Sequence, residues 1–93
     1  MNNLNFTWIF QGNNTNFPVA AFSSKAKATI WIDSNKVSGI LTKYPVDISV
    51  YDWAIENNFF TPKTDLKKTP EFKQKFTTAY IEHYHFKDGK EEI

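Results

Sequence analysis

Leu4-Asn5-Phe6-Thr7-Trp8-Ile9-Phe10-Gln11 alternates with a period of two. Leu4, Phe6, Trp8 and Phe10 share one side; Asn5, Thr7, Ile9 and Gln11 share the other. Successive side chains of a strand point to opposite faces, so a wholly apolar side predicts a strand packed on a core. Gly12-Asn13-Asn14-Thr15-Asn16 is rich in turn formers. Phe17 to Phe22 then reads as a second strand, completing a hairpin. Pro18 has no amide hydrogen to give a ladder, which places this second strand at an edge.

The pattern can be followed outward from that hairpin. Ser23 or Ser24 caps a helix running to about Ser34, with Ala26, Ile30 and Trp31 as its apolar side and Asn35 as its left-handed stop. Val37 to Thr42 reads as a third strand in which Gly39 marks a bulge or a close backbone approach. Its surroundings are the only place for a parallel pairing. After Tyr44-Pro45, Ser49 and Asp52 occupy the N-cap and N3 positions of a capping-box variant, with Ile48 and Trp53 as a hydrophobic staple. Thr69-Pro70 starts another helix, with Phe72 and Phe76 one turn apart. Tyr80 to Phe86 alternates again: Tyr80, Glu82, Tyr84 and Phe86 face one way, and Ile81, His83 and His85 the other. Asp88-Gly89 ends the strand, and residues 90–93 read as a frayed tail. The order β-β-α-β-α-α-β predicts an α+β fold. It should contain a small, mostly antiparallel sheet of about four strands with two or three helices packed on one face. With no repeat and no linker, residues 1–93 read as a single domain.

Composition agrees. A chain of 93 residues suits one domain. Nine Phe, four Tyr and three Trp supply its core. Each fully buried large apolar side chain contributes about 1.5–3 kcal/mol, so no staple is needed. Cysteine is absent, which excludes a disulfide scaffold, a cysteine zinc site and a thiol catalyst. All eleven cations are lysines. Charge is banded: residues 1–43, 44–62, 63–75 and 76–93 carry +3, −3, +3 and −2. The first 24 residues lack the cationic region of a signal peptide, and no apolar run approaches the ~18 residues of a membrane span. The expected compartment is the cytoplasm, with no membrane contact. Asn and Lys enrichment without Arg suggests an AT-rich bacterial source.

Three groups of residues could carry chemistry. His83 and His85, two apart on a strand, point the same way and could ligate one metal ion, with Asp52 or Glu56 as a third ligand. The same pair beside Asp52 or Glu82 could serve acid–base catalysis, although Glu82 belongs to the opposite sheet face. Lys63, Lys67, Lys68, Lys73 and Lys75 surround an aromatic segment, a pattern for single-stranded nucleic acid. The lack of arginine and a pI of about 7.9 argue against it. Tyr44, Asp47, Tyr51, Asp52 and Glu56, together with Tyr84, mix aromatics and carboxylates as a surface for a basic protein partner would. No G-x-S-x-G, P-loop or G-x-G-x-x-G motif occurs, and three glycines build no phosphate cradle, so no cofactor is expected.

The segments Trp8-Ile9-Phe10-Gln11-Gly12, Phe22-Ser23-Ser24, Trp31-Ile32, Gly39-Ile40-Leu41-Thr42-Lys43-Tyr44-Pro45, Tyr51-Asp52-Trp53-Ala54, Phe60-Thr61-Pro62-Lys63 and Glu82-His83-Tyr84-His85 resemble a family of small, uncharacterised bacterial proteins. The resemblance spans about residues 7 to 89. It implies a bacterial, single-domain, cytosolic protein and lends no residue a catalytic role. The sequence therefore reads as a non-enzymatic protein-interaction domain. Its most concrete form is an immunity protein that neutralises a toxin encoded nearby. The alternatives are an enzyme centred on His83 and His85, metal-dependent or acid–base, and a weak single-strand binder using Lys63 to Lys75.

Overall fold

β1 (Phe6–Gly12) carries the alternation into three dimensions: Trp8 and Phe10 are buried, while Thr7, Ile9 and Gln11 are not. The computed structural model describes residues 5–93; the expected strand position of Leu4 lies outside them. The remaining elements are β2 (Ala20–Phe22), α1 (Lys25–Asn35), β3 (Gly39–Pro45), α2 (Val50–Glu56), a 3-10 turn (Asp65–Lys68), α3 (Pro70–Gln74), β4 (His83–Lys87) and β5 (Lys90–Glu91). The fold is α+β. Its five strands lie in the order β2-β1-β3-β4-β5, and every neighbouring pair is antiparallel, including both partners of β3. β2 is an edge strand, as expected, but it is only three residues long and begins after Pro18.

Register explains the core. Phe10 lies opposite Leu41, Leu41 opposite Tyr84, and Gly39 opposite Phe86. Trp8, Phe10, Leu41 and Phe86 therefore share a face, and Ala28 and Ile32 of α1 close over it. Phe10 makes edge contacts with Trp31 at 6.1 Å and Phe86 at 6.5 Å between ring centroids. The helix buries Ala28 and Ile32, spaced i, i+4, rather than the expected Ala26 and Ile30. Ile30 is 68% exposed, because two residues along a helix rotate a side chain some 200° from the buried stripe. Ser24 is the N-cap, accepting from the Lys27 amide. The left-handed stop is Lys36, not Asn35; the Asn35 side chain instead donates back to the Trp31 carbonyl.

Gly39 marks a close approach without a bulge. The β1–β3 register runs unbroken to Gly12↔Gly39, and a Cβ on Gly39 would lie 2.2 Å from the Gln11 carbonyl oxygen.

A second aromatic cluster forms between α2 and α3. Ser49 caps α2, accepting from the Asp52 amide, and Thr69 caps α3 with Pro70 at its first position. Tyr51 is buried, with Phe60, Phe72 and Phe76 around it at 5.7, 6.2 and 5.4 Å. Its hydroxyl donates to the Lys67 carbonyl at 2.7 Å, which ties the 3-10 turn to α2. Phe76 lies beyond the end of α3, yet it meets the same ring as Phe72.

The C-terminal segment departs from the expected frayed tail. Asp88-Gly89 turns the chain, and Lys90–Glu91 pairs with β4. Gly89 has φ +87 and donates to the Val37 carbonyl at 2.9 Å, in a site where any Cβ would press on Asp33 and Lys36. Lys90 bridges to Asp33 at 2.9 Å and Glu91 to Lys25 at 3.2 Å, so β5 is anchored to α1 at both residues.

Candidate functional site

Strand alternation that buries one set of side chains leaves the other set on the opposite face, which α1 does not cover. Register arranges these in rows. Ile9 lies opposite Thr42, which lies opposite His83; Gln11 lies opposite Ile40, which lies opposite His85. Tyr44 extends the β3 column. The segment from Phe76 to Ile81 walls one side and the Asn13–Thr15 turn another, enclosing a cleft of about 920 Å³. None of its lining residues is Lys, Asp or Glu, although the chain carries 21 such charges. The floor exposes large apolar groups, Ile40 at 37% and Tyr44 at 39% accessible, beside the exposed polar side chains of Gln11 and His85.

The histidines are the polar feature of this floor. Their rings are 5.4 Å apart at 74°. His83 Nδ1 lies 2.7 Å from the Ile81 carbonyl oxygen. A carbonyl only accepts, so Nδ1 is the donor in this contact; in the neutral tautomer that makes this bond, Nε2 carries the lone pair. The carboxylates expected to join the pair are elsewhere. Asp52 accepts from the Ser49 hydroxyl at the start of α2, and Glu56 ends that helix exposed to solvent. Glu82 accepts from the Tyr84 hydroxyl and pairs with Lys43 at 3.8 Å. Among the described residues, no group of three His, Cys, Asp or Glu could hold a metal ion.

The residues expected to form a protein-binding patch are dispersed. Tyr44 stands on the open face. Asp47 occupies a left-handed turn with φ 68, and Asp52 is exposed. Tyr51 is only 6% accessible, so it belongs to the interior and offers no surface. Tyr84 lies on the helix-covered side, stacked on Trp8 at 6.1 Å, with the Lys25 ammonium 3.5 Å above its ring. Its hydrogen bond to Glu82, followed by desolvation, raises the phenol above the ordinary tyrosine range. The lysine cluster is engaged in part with its own aromatics: Lys67 lies 5.9 Å from the Phe60 centroid and Lys73 5.3 Å from that of Tyr51. Phe60, Phe72 and Phe76 pack on Tyr51.

Sequence reasoning missed Ile9, Gln11, Ile40 and Thr42 as site residues. The available signal was Ile9 and Ile40, branched apolar side chains at strand positions where a solvated face would be polar.

A family model described as Domain of unknown function (DUF7710) matches residues 7–92. The chain belongs to this family. Every residue lining the cleft falls inside the DUF7710 span. No curated protein and no solved structure matches the chain. Among the described residues, no helix of this DUF7710 member is long and apolar enough to cross a membrane.

Proposed function

We propose that the chain is a single, non-enzymatic binding domain whose open sheet face receives an uncharged segment of a partner protein. The observation that carries this reading is the charge-free lining of a cleft of about 920 Å³. A neutral floor of Ile9, Ile40, Thr42 and Tyr44 favours apolar and hydrogen-bonding groups. Away from the His83–His85 pair, it gives a charged segment of a partner no counter-ion against its loss of hydration. The acidic residues Asp47, Asp52 and Glu56 contribute at most a rim, where charges alter association rate more than affinity.

The specific form of the proposal is a bacterial cytoplasmic immunity protein that occludes a toxin encoded by the adjacent gene. A near-neutral protein with an uncharged cleft fits a toxin recognised through an apolar projection, in preference to one recognised through a basic nucleic-acid site. Calorimetry of the two purified proteins at micromolar concentration tests it. Ile40→Glu should weaken binding by about 2 kcal/mol or more, roughly thirtyfold, by burying an unpaired charge. The triple change of Asp47, Asp52 and Glu56 to Asn, Asn and Gln should shift affinity only slightly. Absence of binding, or loss with the acidic triple variant but not with Ile40→Glu, overturns it.

A further inference from the structure

We propose that His83 and His85 form a two-imidazole site for a divalent transition metal ion of the zinc and copper class. Three observations converge. First, both residues stand on the same face of β4, which is paired on both edges, with β3 and with β5. Both histidines lie in the β3 ladder, opposite Thr42 and Ile40, and the Glu92 amide donates to the His85 carbonyl from the other side, so the backbone spacing of the two rings is fixed. Second, the Ile81 carbonyl, 2.7 Å from His83 Nδ1, favours the neutral tautomer with its proton on Nδ1, the one that offers Nε2 to a metal ion. Orientation of a ligating imidazole by a backbone carbonyl on its other nitrogen is the usual arrangement around bound metals. Third, the ring separation suits chelation. A metal–nitrogen bond of about 2.0–2.1 Å puts the ion ~3.2 Å from each ring centroid, so two imidazoles at a tetrahedral angle have centroids ~5.2 Å apart. The observed separation is 5.4 Å, and His85 is exposed and free to turn about its side-chain torsions.

The surroundings define the class of ion. Imidazole nitrogens suit zinc, copper and nickel, whereas magnesium and calcium seek oxygen ligands. The cleft lining offers no carboxylate. Two coordination positions are supplied by the protein, and the rest open toward the cleft, where water fills them. This differs from the three-ligand catalytic centre considered from sequence: the assignment is a binding site for the ion, and no reaction is attached to it. It stands independently of any protein partner.

The test uses untagged full-length protein, stripped with chelator, titrated separately with Zn²⁺, Cu²⁺ and Mg²⁺ by calorimetry. One Zn²⁺ or Cu²⁺ per chain should bind in the micromolar range, with no heat from Mg²⁺. His85→Ala should weaken binding on the order of tenfold or more, and so should His83→Ala, because chelation needs both rings. The exposed position of His85 makes its substitution the cleaner arm, and an unchanged thermal midpoint verifies that the variant is folded. Three outcomes overturn the assignment: no Zn²⁺ or Cu²⁺ binding up to millimolar concentration, affinity that survives the His83→Ala, His85→Ala double substitution, or single substitutions that each cost only about twofold, the mark of two independent imidazoles.

Discussion

Replacing Gly39 by alanine should destabilise the fold by about 2–3 kcal/mol, while the same change at its cross-strand partner Gly12 should be neutral or stabilising. A Cβ at Gly39 would lie 2.2 Å from the Gln11 carbonyl oxygen, 2.8 Å from Gly12 Cα and 2.8 Å from Phe10 Cζ. Ordinary contact begins near 3.4 Å, so β1 must retreat by more than an ångström at this point. Two of the three obstructing atoms are backbone and cannot rotate away. The third belongs to Phe10, which is 1% accessible and held between Trp31 and Phe86. Overpacking of this kind costs typically 1–3 kcal/mol, and displacing a strand belongs at the upper end. Alanine returns about 0.4–1 kcal/mol by restricting the unfolded chain, too little to reverse the sign. At Gly12 the nearest atoms to a Cβ are Thr15 Cγ2 at 3.5 Å and Ser38 O at 3.7 Å, and its φ lies outside the left-handed range, so only the entropic gain remains. Urea unfolding followed by fluorescence of the three tryptophans measures both variants. For a domain of this size, the loss at Gly39 lowers Tm by roughly 10–20 °C. A Gly39→Ala protein within about 0.5 kcal/mol of the parent would refute the reasoning, as would an equal loss in Gly12→Ala.

Tyr51→Phe should cost about 1 kcal/mol in urea unfolding through loss of the bond to the Lys67 carbonyl, and Tyr51→Ala about 3–5 kcal/mol by opening the second aromatic cluster. Ile32→Ala should cost about 2–5 kcal/mol and Ile30→Lys less than about 0.5 kcal/mol, measured the same way, because the first is fully buried and the second is solvent-facing. Lys90 first, then Lys36, holds the Asp33 carboxyl below its usual range. The ionised form is the one favoured on folding, so its contribution is complete above the ordinary aspartate pKa of about 3.9 and fades as pH falls through the lower folded value. Amide protection in β5, taken relative to the intrinsic exchange rate at each pH, should therefore fall on acidification in the parent, and depend less on pH over that range in Asp33→Asn.

What could be read in the sequence was whatever local periodicity determines. Period two in Phe6-Thr7-Trp8-Ile9-Phe10 assigned each side chain of β1 to the correct face, and the same alternation separated Tyr84 and Phe86 from His83 and His85. Ser49, Thr69 and Pro70 fixed two helix starts because capping is decided within four residues. Quantities set by distant partners were not legible. Tyr51 looks amphipathic in sequence and is buried only because Phe60, Phe72 and Phe76 converge on it. The charged Lys90-Glu91 pair resembles a tail, but Asp33 and Lys25 on α1 complement it and make it a strand.

The cleft was hidden for a related reason. Knowing which face each residue occupies does not say which residues stand side by side; that requires register. A slip of one residue between β1 and β3 would send Ile40 and Thr42 to the helix-covered side and Leu41 to the open one. The approach of Gly39 to Gly12 opposes such a slip, since a side chain at either neighbouring position of β3, Ser38 or Ile40, would not fit against the Gln11 carbonyl. The contact that specifies the core therefore also specifies the row Gln11-Ile40-His85 on the opposite face. Stability and site geometry share one determinant here. A substitution at Gly39 that leaves the chain folded should still disturb the cleft row beside it, whereas truncations at Tyr51, which spare the β1–β3 register, should lower stability without moving that row.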